Sequence, residues 1–121
     1  MISKIDEVLT ALRADTVLTA LLKGQYVYWL KPSVVSASYI TLLEISNNES
    51  ESADDAEYAD DIEIQLDIWT KGSTIPIAIQ AQKTMRKLGF THQAMPDDYD
   101  KITGIIHKPI RFFIKVEMEV I

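Results

Sequence analysis

Residues 62–70, IEIQLDIWT, leave the chain little choice of local structure, because apolar side chains occur at every second position. The apolar members are Ile62, Ile64, Leu66 and Ile68. Successive side chains of a strand point to opposite faces, so a period of two is typical of a strand with one face on a core. Such a strand needs partners and a covering layer, and the segment therefore predicts a sheet with one buried face.

A second alternating segment lies at residues 110–120, near the C-terminus. Its apolar face consists of Phe112, Ile114, Val116 and Met118. On the opposite face, Arg111 and Lys115 would complement Glu63 and Asp67 if the two strands paired. The pattern predicts a half-buried strand, and the charges favour its pairing with residues 62–70.

The N-terminal segment, from Ile2 to Leu22, has helical spacing. Its first apolar stripe, at i, i+3, i+4 and i+7, consists of Ile5, Val8, Leu9 and Leu12. Ser3 is the expected N-cap. Asp15 offers a second cap, so the segment predicts either one long helix or two short helices joined near Ala14.

A further helix is predicted at about residues 75–88, with Pro76 in its first turn, where the missing N–H costs nothing. Its expected core stripe consists of Ile75, Ile79, Met85 and Leu88. Gly89 followed by Phe90 is typical of a C-terminal cap in which glycine takes a positive φ and the next hydrophobe folds back onto the last turn. Phe90 is therefore expected in the core.

The remaining segments complete an α+β domain. Strands are predicted at residues 26–30, 38–46 and 102–107, the second of them buried on both faces, and residues 91–100 are expected to form a polar loop. We expect a single domain over residues 1–121, with an N-terminal helix or helix pair, a mostly antiparallel or mixed sheet of four to five strands, and one helix packed on that sheet.

Residues 47–61 differ from the rest of the chain in charge. They contain seven acidic residues and no basic one: Glu49, Glu51, Asp54, Asp55, Glu57, Asp60 and Asp61. Without these seven charges, the formal net charge of −6 becomes +1, so the acidity of the protein belongs to this segment. A polar stretch with one sign of charge predicts a long, extended loop, and the seven carboxylates are a candidate assembly interface.

The side chains that could carry chemistry are few and scattered. The absence of cysteine excludes disulfides, thiol nucleophiles and thiolate metal sites. His92 and His107 lack the spacing of metal ligands, and the cluster at residues 97–100 lacks the glycine and spaced oxygens of a calcium loop. Without a glycine-rich phosphate loop or a Gly-x-Ser-x-Gly elbow, we expect no enzymatic activity, catalytic residue, metal or cofactor.

Charge and hydropathy also narrow the class of partner. A net charge of −6 disfavours binding to nucleic-acid phosphates, and Tyr26, Tyr28 and Trp29 lack neighbouring cations, so we expect them to pack or to meet another subunit. Asp6 and Glu7 fall where a signal peptide needs an apolar run, and no stretch reaches the roughly 20 apolar residues of a membrane span. We expect no sequence-specific nucleic-acid partner and no membrane partner.

Several stretches, covering nearly the whole chain, match a known pattern. They are LTALRADTVLTALLKG at residues 9–24, IEIQLDIWTKG at residues 62–72, MRKLGF at residues 85–90, Tyr99-Asp100, and Ile106-His107-Lys108 ahead of Arg111-Phe112. On these residues the chain resembles the small tail-completion or tail-terminator proteins of long-tailed bacteriophages and prophages. Its second half is similar to versions from phages of Gram-positive bacteria. The acidic segment matches no motif of that family.

The resemblance implies a structural virion protein made in the cytoplasm of a bacterial host. Such a protein is expected at the head-proximal end of the tail, where a ring of six copies caps the tail tube and joins it to the head connector. Its partners would be further copies of itself, the tail tube protein and the head connector protein. No residue would perform chemistry, because the work of a ring is geometric.

A different class of function explains the charge equally well. The chain could be a cytoplasmic adaptor or regulatory binding module that uses the acidic segment to dock a basic partner. In a virion, the same segment would meet a basic surface on a neighbouring subunit or line the DNA passage, where negative charge repels the phosphate backbone. A third interpretation gives it only a solvating role.

Overall fold

The computed structural model describes residues 3–34, 36–51 and 57–119. Within these residues the chain forms three helices and six strands, which confirms the α+β class with a slightly larger sheet than expected. The elements in chain order are α1 (Ile5–Ala14), α2 (Thr16–Leu22), β1 (Val27–Trp29), β2 (Ser38–Glu51), β3 (Glu57–Thr70), α3 (Ile75–Lys87), β4 (Thr91–Ala94), β5 (Asp98–Tyr99) and β6 (Ile106–Glu119).

The six strands form one mixed sheet in the order β1-β2-β3-β6-β4, and β5 pairs with another part of β6. β1 runs parallel to β2, and every other pairing is antiparallel. β3 is central and pairs along its length with both long neighbours, so that Leu66 lies opposite Leu42 on β2 and Ile110 on β6. The position of β3 therefore sets which residues of β2 and β6 lie level with each other.

The core forms where the helices cover one face of this sheet. The alternating side chains of β3, from Ile62 to Ile68, are 0–2% exposed, which confirms the prediction from their period of two. The helices add Val8, Leu12, Leu18, Leu22 and Met85 to the same cluster. Expected core residues that are partly buried and pack against this cluster are Leu88, Ile114 and Val116.

The predicted core stripe of α3 is wrong at two positions. Ile75 is 65% exposed and Ile79 is 50% exposed, whereas the buried residues of this helix are Ile77, Ala78, Ala81 and Met85. Ala78 and Ala81 are small and let the helix lie close to the layer beneath it. An alanine is a weak apolar signal in a sequence, so the larger isoleucines suggested the wrong helix face.

The C-terminal end of α3 has the predicted cap. Gly89 has a φ of +98°, the N–H of Phe90 donates to the Met85 carbonyl at 3.1 Å, and the N–H of Gly89 donates to the Arg86 carbonyl at 3.0 Å. These two bonds satisfy carbonyls that the helix end leaves free. Phe90 is 3% exposed, which confirms its place in the core.

The N-terminal segment forms two helices, one of the two alternatives that its sequence allows. Ser3 is not the N-cap of α1, because Lys4 occupies that position without a side-chain capping bond and pairs instead with Glu7 at 2.8 Å. Asp15 is the N-cap of α2, since its Oδ1 accepts hydrogen bonds from the N–H groups of Val17 and Leu18, each at 3.0 Å. The chain changes direction at this capped residue.

Most of the predicted acidic loop at residues 47–61 is strand. Residues 47–51 end β2 and residues 57–61 begin β3, and the two pair with Glu49 opposite Asp60. β6 pairs with the other side of residues 57–61, so cross-strand hydrogen bonds hold these backbones whatever charge their side chains carry. Residues 52–56, with Asp54 and Asp55, lie outside the described residues.

Two other boundaries also differ from expectation. Residues 91–100 contain β4 and β5 instead of a continuous loop, and the two strands expected around Pro109 are one strand, β6. The carbonyl of Pro109 accepts from Met95 N–H at 3.0 Å, just beyond the end of β4, so the proline faces the interruption between β4 and β5. Because the backbone of Pro109 points away from β3 at this position, its missing N–H removes no hydrogen bond between β6 and β3.

β2 is buried on both faces only over part of its predicted length. Ile40, Thr41 and Leu42 are 0–5% exposed, but Leu43 and Ile45 are 39% and 37% exposed. Between Glu44 and Ser46, β2 departs from regular pairing with β3. Ile45 lies within this irregularity, and Leu43 lies just before it. The apolar run therefore continues beyond the region that the fold covers on both faces.

Asp15 also connects the N-terminal helices to α3. Its Oδ2 accepts hydrogen bonds from Gln80 Nε2 at 2.9 Å and from Thr84 Oγ1 at 2.5 Å. Burial alone would raise the pKa of this carboxyl, but the bonds from Thr84, Gln80, Leu18 and Val17 outweigh burial and lower the pKa from its ordinary value of 3.8. The ionised form of Asp15 is therefore the form that the fold prefers.

We expect Leu66→Ala to lower the free energy of unfolding by about 2–5 kcal/mol, because the side chain is fully buried between Leu42 and Ile110. Urea denaturation followed by circular dichroism measures the loss. The matched control is Ile79→Ala, which removes exposed apolar atoms and should cost less than about 1 kcal/mol. A loss below about 1 kcal/mol for Leu66→Ala would place this residue outside the core.

We expect Asp15→Ala to cost about 0.5–2 kcal/mol, the usual contribution of an N-cap side chain. Because the pKa of Asp15 is lower in the folded protein, its ionised form stabilises the fold above the unfolded pKa of 3.8, and this stabilisation disappears as the pH falls through the folded pKa. The stability difference between wild type and Asp15→Asn should therefore shrink below pH 3.8. Urea titrations at neutral and acidic pH measure it, and a constant difference would refute the linkage.

Candidate assembly interface

The predicted acidic interface includes the ends of β2 and β3 that pair with each other, residues 47–51 and 57–61, which we call the acidic hairpin. The structure places Glu49 and Glu51 on β2, and Glu57, Asp60 and Asp61 on β3. Glu49 is exposed and lies opposite Asp60, and Glu57 lies opposite Glu119 of β6. The register thus brings acidic residues to directly opposite positions of neighbouring strands.

The acidic residues differ in their exposure. Asp60 is 2% exposed, so it is part of the folded structure and not of a free surface. Asp61 is about half exposed and lies 3.7 Å from Lys115, a pair that contributes little because water screens both groups. The described acidic residues of this segment therefore differ in kind: Asp60 is part of the packed structure, whereas Asp61 lies at the surface.

The sheet face opposite the helices carries a connected polar network. Arg111 donates to Glu63 at 2.8 Å and to Gln65 at 2.7 Å, and Gln65 donates to Asp67 at 2.8 Å. β3 and β6 therefore pair as their outward charges favour, and the register selects Glu63 as the acidic partner of Arg111. Lys115 does not meet Asp67, because the register of β3 and β6 places Asp61 opposite Lys115 and leaves Asp67 to His107.

A row of stacked rings continues this network across three strands. His107 lies 2.6 Å from Asp67 and stacks on Trp69 with 4.0 Å between ring centroids, and Trp69 stacks on Tyr39 at 6.1 Å. Burial raises the pKa of the Tyr39 hydroxyl. The rings line one side of a cavity of about 350 Å³. His107 thus has partners on β3 for its ring nitrogen and its ring face, and the stacking strengthens strand pairing.

The row of rings is a feature that sequence patterns did not identify. Each ring stands on a different strand, and only the register brings Tyr39, Trp69 and His107 together. The sequence signal was limited to Trp69 at an outward position of an alternating strand. The other histidine, His92, lies on β4 and is tilted against Phe112, with ring centroids 6.0 Å apart.

Apolar side chains remain exposed at the β1 edge of the sheet. Trp29 and Leu30 are 56% and 50% exposed, and Val34 in the following loop is 57% exposed. Tyr26, from the same predicted aromatic strand, packs against the core. Leu30 has a φ of +65°, an uncommon conformation for a side chain of its size, and its N–H donates to Leu42 at 2.9 Å. Exposed apolar groups close together are typical of interaction surfaces.

The described part of the chain shows no cluster of three or more His, Cys, Asp or Glu side chains that could hold a metal ion. Over the same residues, no helix is long and apolar enough to cross a membrane. The arrangements found here pair charges, stack rings and leave apolar groups exposed. Their chemistry suits binding to another protein surface.

Comparisons with known proteins identify the fold and the family of this chain. The chain matches a solved structure described as "Virion of native gene transfer agent (GTA) particle", with a TM-score of 0.61, 17% sequence identity and 92% of each chain covered. At this identity, the match shows a shared fold. No curated protein matches the chain. The family model described as "Tail completion protein gp17" matches residues 6–95, from the second residue of α1 to the residue after β4. The chain therefore belongs to the tail completion protein gp17 family.

Proposed function

We propose that this structural protein of the virion tail closes a ring of six copies on the head-proximal end of the tail tube and joins the tube to the head connector. The observation that carries the proposal is the family match over residues 6–95. These residues hold the acidic hairpin, the β1 edge and α3, with the exposed side chains of Trp29, Ile75 and Ile79. Copies would be made in the cytoplasm of the bacterial host before they join the virion.

The shape of the sheet is compatible with a ring that stops at a fixed size. Its outer strands are short, since β1 has three residues and β4 has four, whereas the three inner strands have 14 residues each. Short edge strands limit open-ended pairing between sheets. A ring instead needs two different, complementary surfaces on every copy, repeated until the last copy meets the first.

The proposed work is mechanical and not enzymatic. Asp67 and Trp69 hold His107 in the sheet, and Phe112 lies against His92, so the contacts of both histidines are structural. The tail tube protein, the head connector protein and neighbouring copies are the proposed partners. Neither a membrane nor a specific nucleic-acid sequence is part of the proposal.

We expect the purified protein to sediment as a monomer or weak oligomer and to form a ring only at the end of a tail tube. A protein that polymerised without limit in free solution would fail to cap the tube. Self-association must therefore stay weak until the tube end provides a template. Analytical ultracentrifugation measures the first part, and electron microscopy of isolated tubes mixed with the protein measures the second. Open-ended filaments of the free protein, or tubes without end density, would contradict the proposal.

We also propose the acidic segment at residues 47–61 as an assembly surface of the ring. The variant that tests it replaces glutamates by glutamine and aspartates by asparagine at six positions: Glu49, Glu51, Asp54, Asp55, Glu57 and Asp61. Asp60 is kept, because it is 2% exposed. Melting temperature should change little, since exposed charges each contribute about 0–1 kcal/mol, while the joining of tails to heads should fall.

The matched control for this variant is Asp6→Asn with Glu7→Gln, which removes exposed acids from the first turn of α1. Tail-to-head joining is measured as the yield of infectious particles in phage that carry each variant. The control should assemble normally. Normal yield from the hairpin variant would leave the hairpin with only a solvating role.

A further inference from the structure

One row of side chains crosses four adjacent strands on the sheet face opposite the helices. The register pairs Tyr39 of β2 with Trp69 of β3. It also places His107 of β6 between Trp69 and Asp98 of β5. Opposite residues of antiparallel strands point to the same face of a sheet, so the row of stacked rings continues into a carboxylate.

These side chains line a cavity of about 350 Å³, which we call the ring cavity. The turn between β5 and β6 adds Asp100, Thr103 and Ile105 to its lining, so part of the lining is aromatic and part carries two carboxylates. No lysine or arginine is among its described lining residues. Its volume is near the lower end of the roughly 300–1,000 Å³ of small-molecule sites, which suits a single side chain better than a large cofactor.

Both carboxylates are available to a cation. In the described part of the chain, the carboxylate of Asp98 forms no hydrogen bond or ion pair. Asp100 Oδ1 accepts a bond from the N–H of Ile102 at 2.9 Å, and bonds from Ile102 and Thr103 lower the pKa of Asp100 from 3.8. Asp100 is therefore ionised at neutral pH, and its carboxylate has more acceptor sites than these bonds use.

The fold holds the rings and the turn in place. Trp69 Nε1 donates to Thr41 Oγ1 at 2.9 Å, and the ring of His107 lies parallel to that of Trp69 within 3°. In the turn, the N–H of Asp100 donates to the carbonyl of Ile105 at 3.0 Å. A site that is already ordered loses less conformational freedom when it binds, so the ring cavity is prepared for an occupant.

A guanidinium group matches both parts of this lining. It is planar and weakly hydrated, it stacks on aromatic rings, and its forked N–H donors suit carboxylate oxygens. An ammonium group carries the charge without the plane. Two nearby carboxylates repel an anion, and their desolvation would oppose a purely apolar group. The described residues offer no group of three acidic or histidine side chains here for a metal ion.

We propose that the ring cavity binds the arginine side chain of a partner protein at the joint between tail and head. The inference rests on the proposed function, which brings this chain against the tail tube and the head connector. Two of the three arginines of the chain are already bonded within it, Arg13 to β1 and Arg111 to β3. The third, Arg86, is exposed on α3, so a second copy is the alternative source that the experiments distinguish.

Two-dimensional NMR of the full chain tests the cavity with a defined probe, Nα-acetyl-L-arginine amide. The chain has two tryptophans, so the indole signals of Trp69 and Trp29 report separately on the cavity and on the β1 edge. We expect a saturable shift of the Trp69 signal and little change at Trp29. Nα-acetyl-L-citrulline amide has nearly the same shape without the charge and should bind at least about fivefold more weakly. No shift at Trp69, or equal shifts with both probes, would overturn the proposal.

The carboxylates are tested with a chain that carries Asp98→Asn and Asp100→Asn, the cavity variant. Asparagine removes the charge but keeps an oxygen that accepts the bonds of the turn, so the dispersed NMR spectrum should show an intact fold. Affinity for the arginine probe should fall by about fivefold or more. The matched control, Asp6→Asn with Glu7→Gln, removes two exposed acids from α1 and should keep the affinity. Equal losses in both chains would refute the site, because general charge would then explain them.

Binding to isolated tail tubes and to purified head connectors identifies the source of the arginine. The cavity variant should bind one of these two partners about tenfold more weakly than the wild type, whereas Arg86→Gln should bind both normally. Equal loss from Arg86→Gln would assign the arginine to a second copy and overturn the partner protein as its source. Normal binding of the cavity variant to both partners would also overturn it, since the cavity would then accept only free small cations.

The outcomes separate this contact from the proposed function. Failure of the wild-type chain to bind tube ends would refute the ring on the tail, whatever the variants do. Wild-type binding to tubes and connectors that the cavity variant fully retains would refute only the capture of an arginine side chain.

Discussion

The rest of the structure depends on the register of β3 with its two neighbours. Four apolar side chains of this strand face the helices, and a shift of one residue would turn all of them to solvent. The cost of exposing these side chains fixes the pairing of β3 with both β2 and β6. The same register brings Arg111 to Glu63 and stacks His107 on Trp69, so the polar face opposite the helices follows from the burial of the other face.

The helix layer is held by a different kind of contact. Asp15 caps α2 with one carboxylate oxygen and accepts bonds from α3 with the other, so a single ionised side chain sets both the break between α1 and α2 and the position of α3. With Ala78 and Ala81 turned inward, Ile75 and Ile79 remain outside. The apolar groups that the core does not use therefore stay exposed on the outer side of α3.

Backbone pairing lets the sheet carry a concentrated negative charge. The acidic hairpin tolerates carboxylates on opposite residues because its backbone is paired on β2, β3 and β6. In the proposed ring, the free energy of assembly then comes from a repeated contact between unlike surfaces, and no residue needs to perform a reaction.

The sequence by itself determined the α+β class, the strand at residues 62–70, the cap at Gly89 and the acidic charge of residues 47–61, because these depend on local periodicity and on the chemistry of single residues. It offered Asp15 as a cap but left one long helix or two short helices open. It could not determine that residues 47–51 and 57–61 are strands, since their hydrogen bonds come from partners distant in the chain. Only the tertiary structure decided which face of α3 is buried and which rings stack on Trp69. Both depend on how small side chains and strand register fit elements together, and that fit is a property of the packed whole.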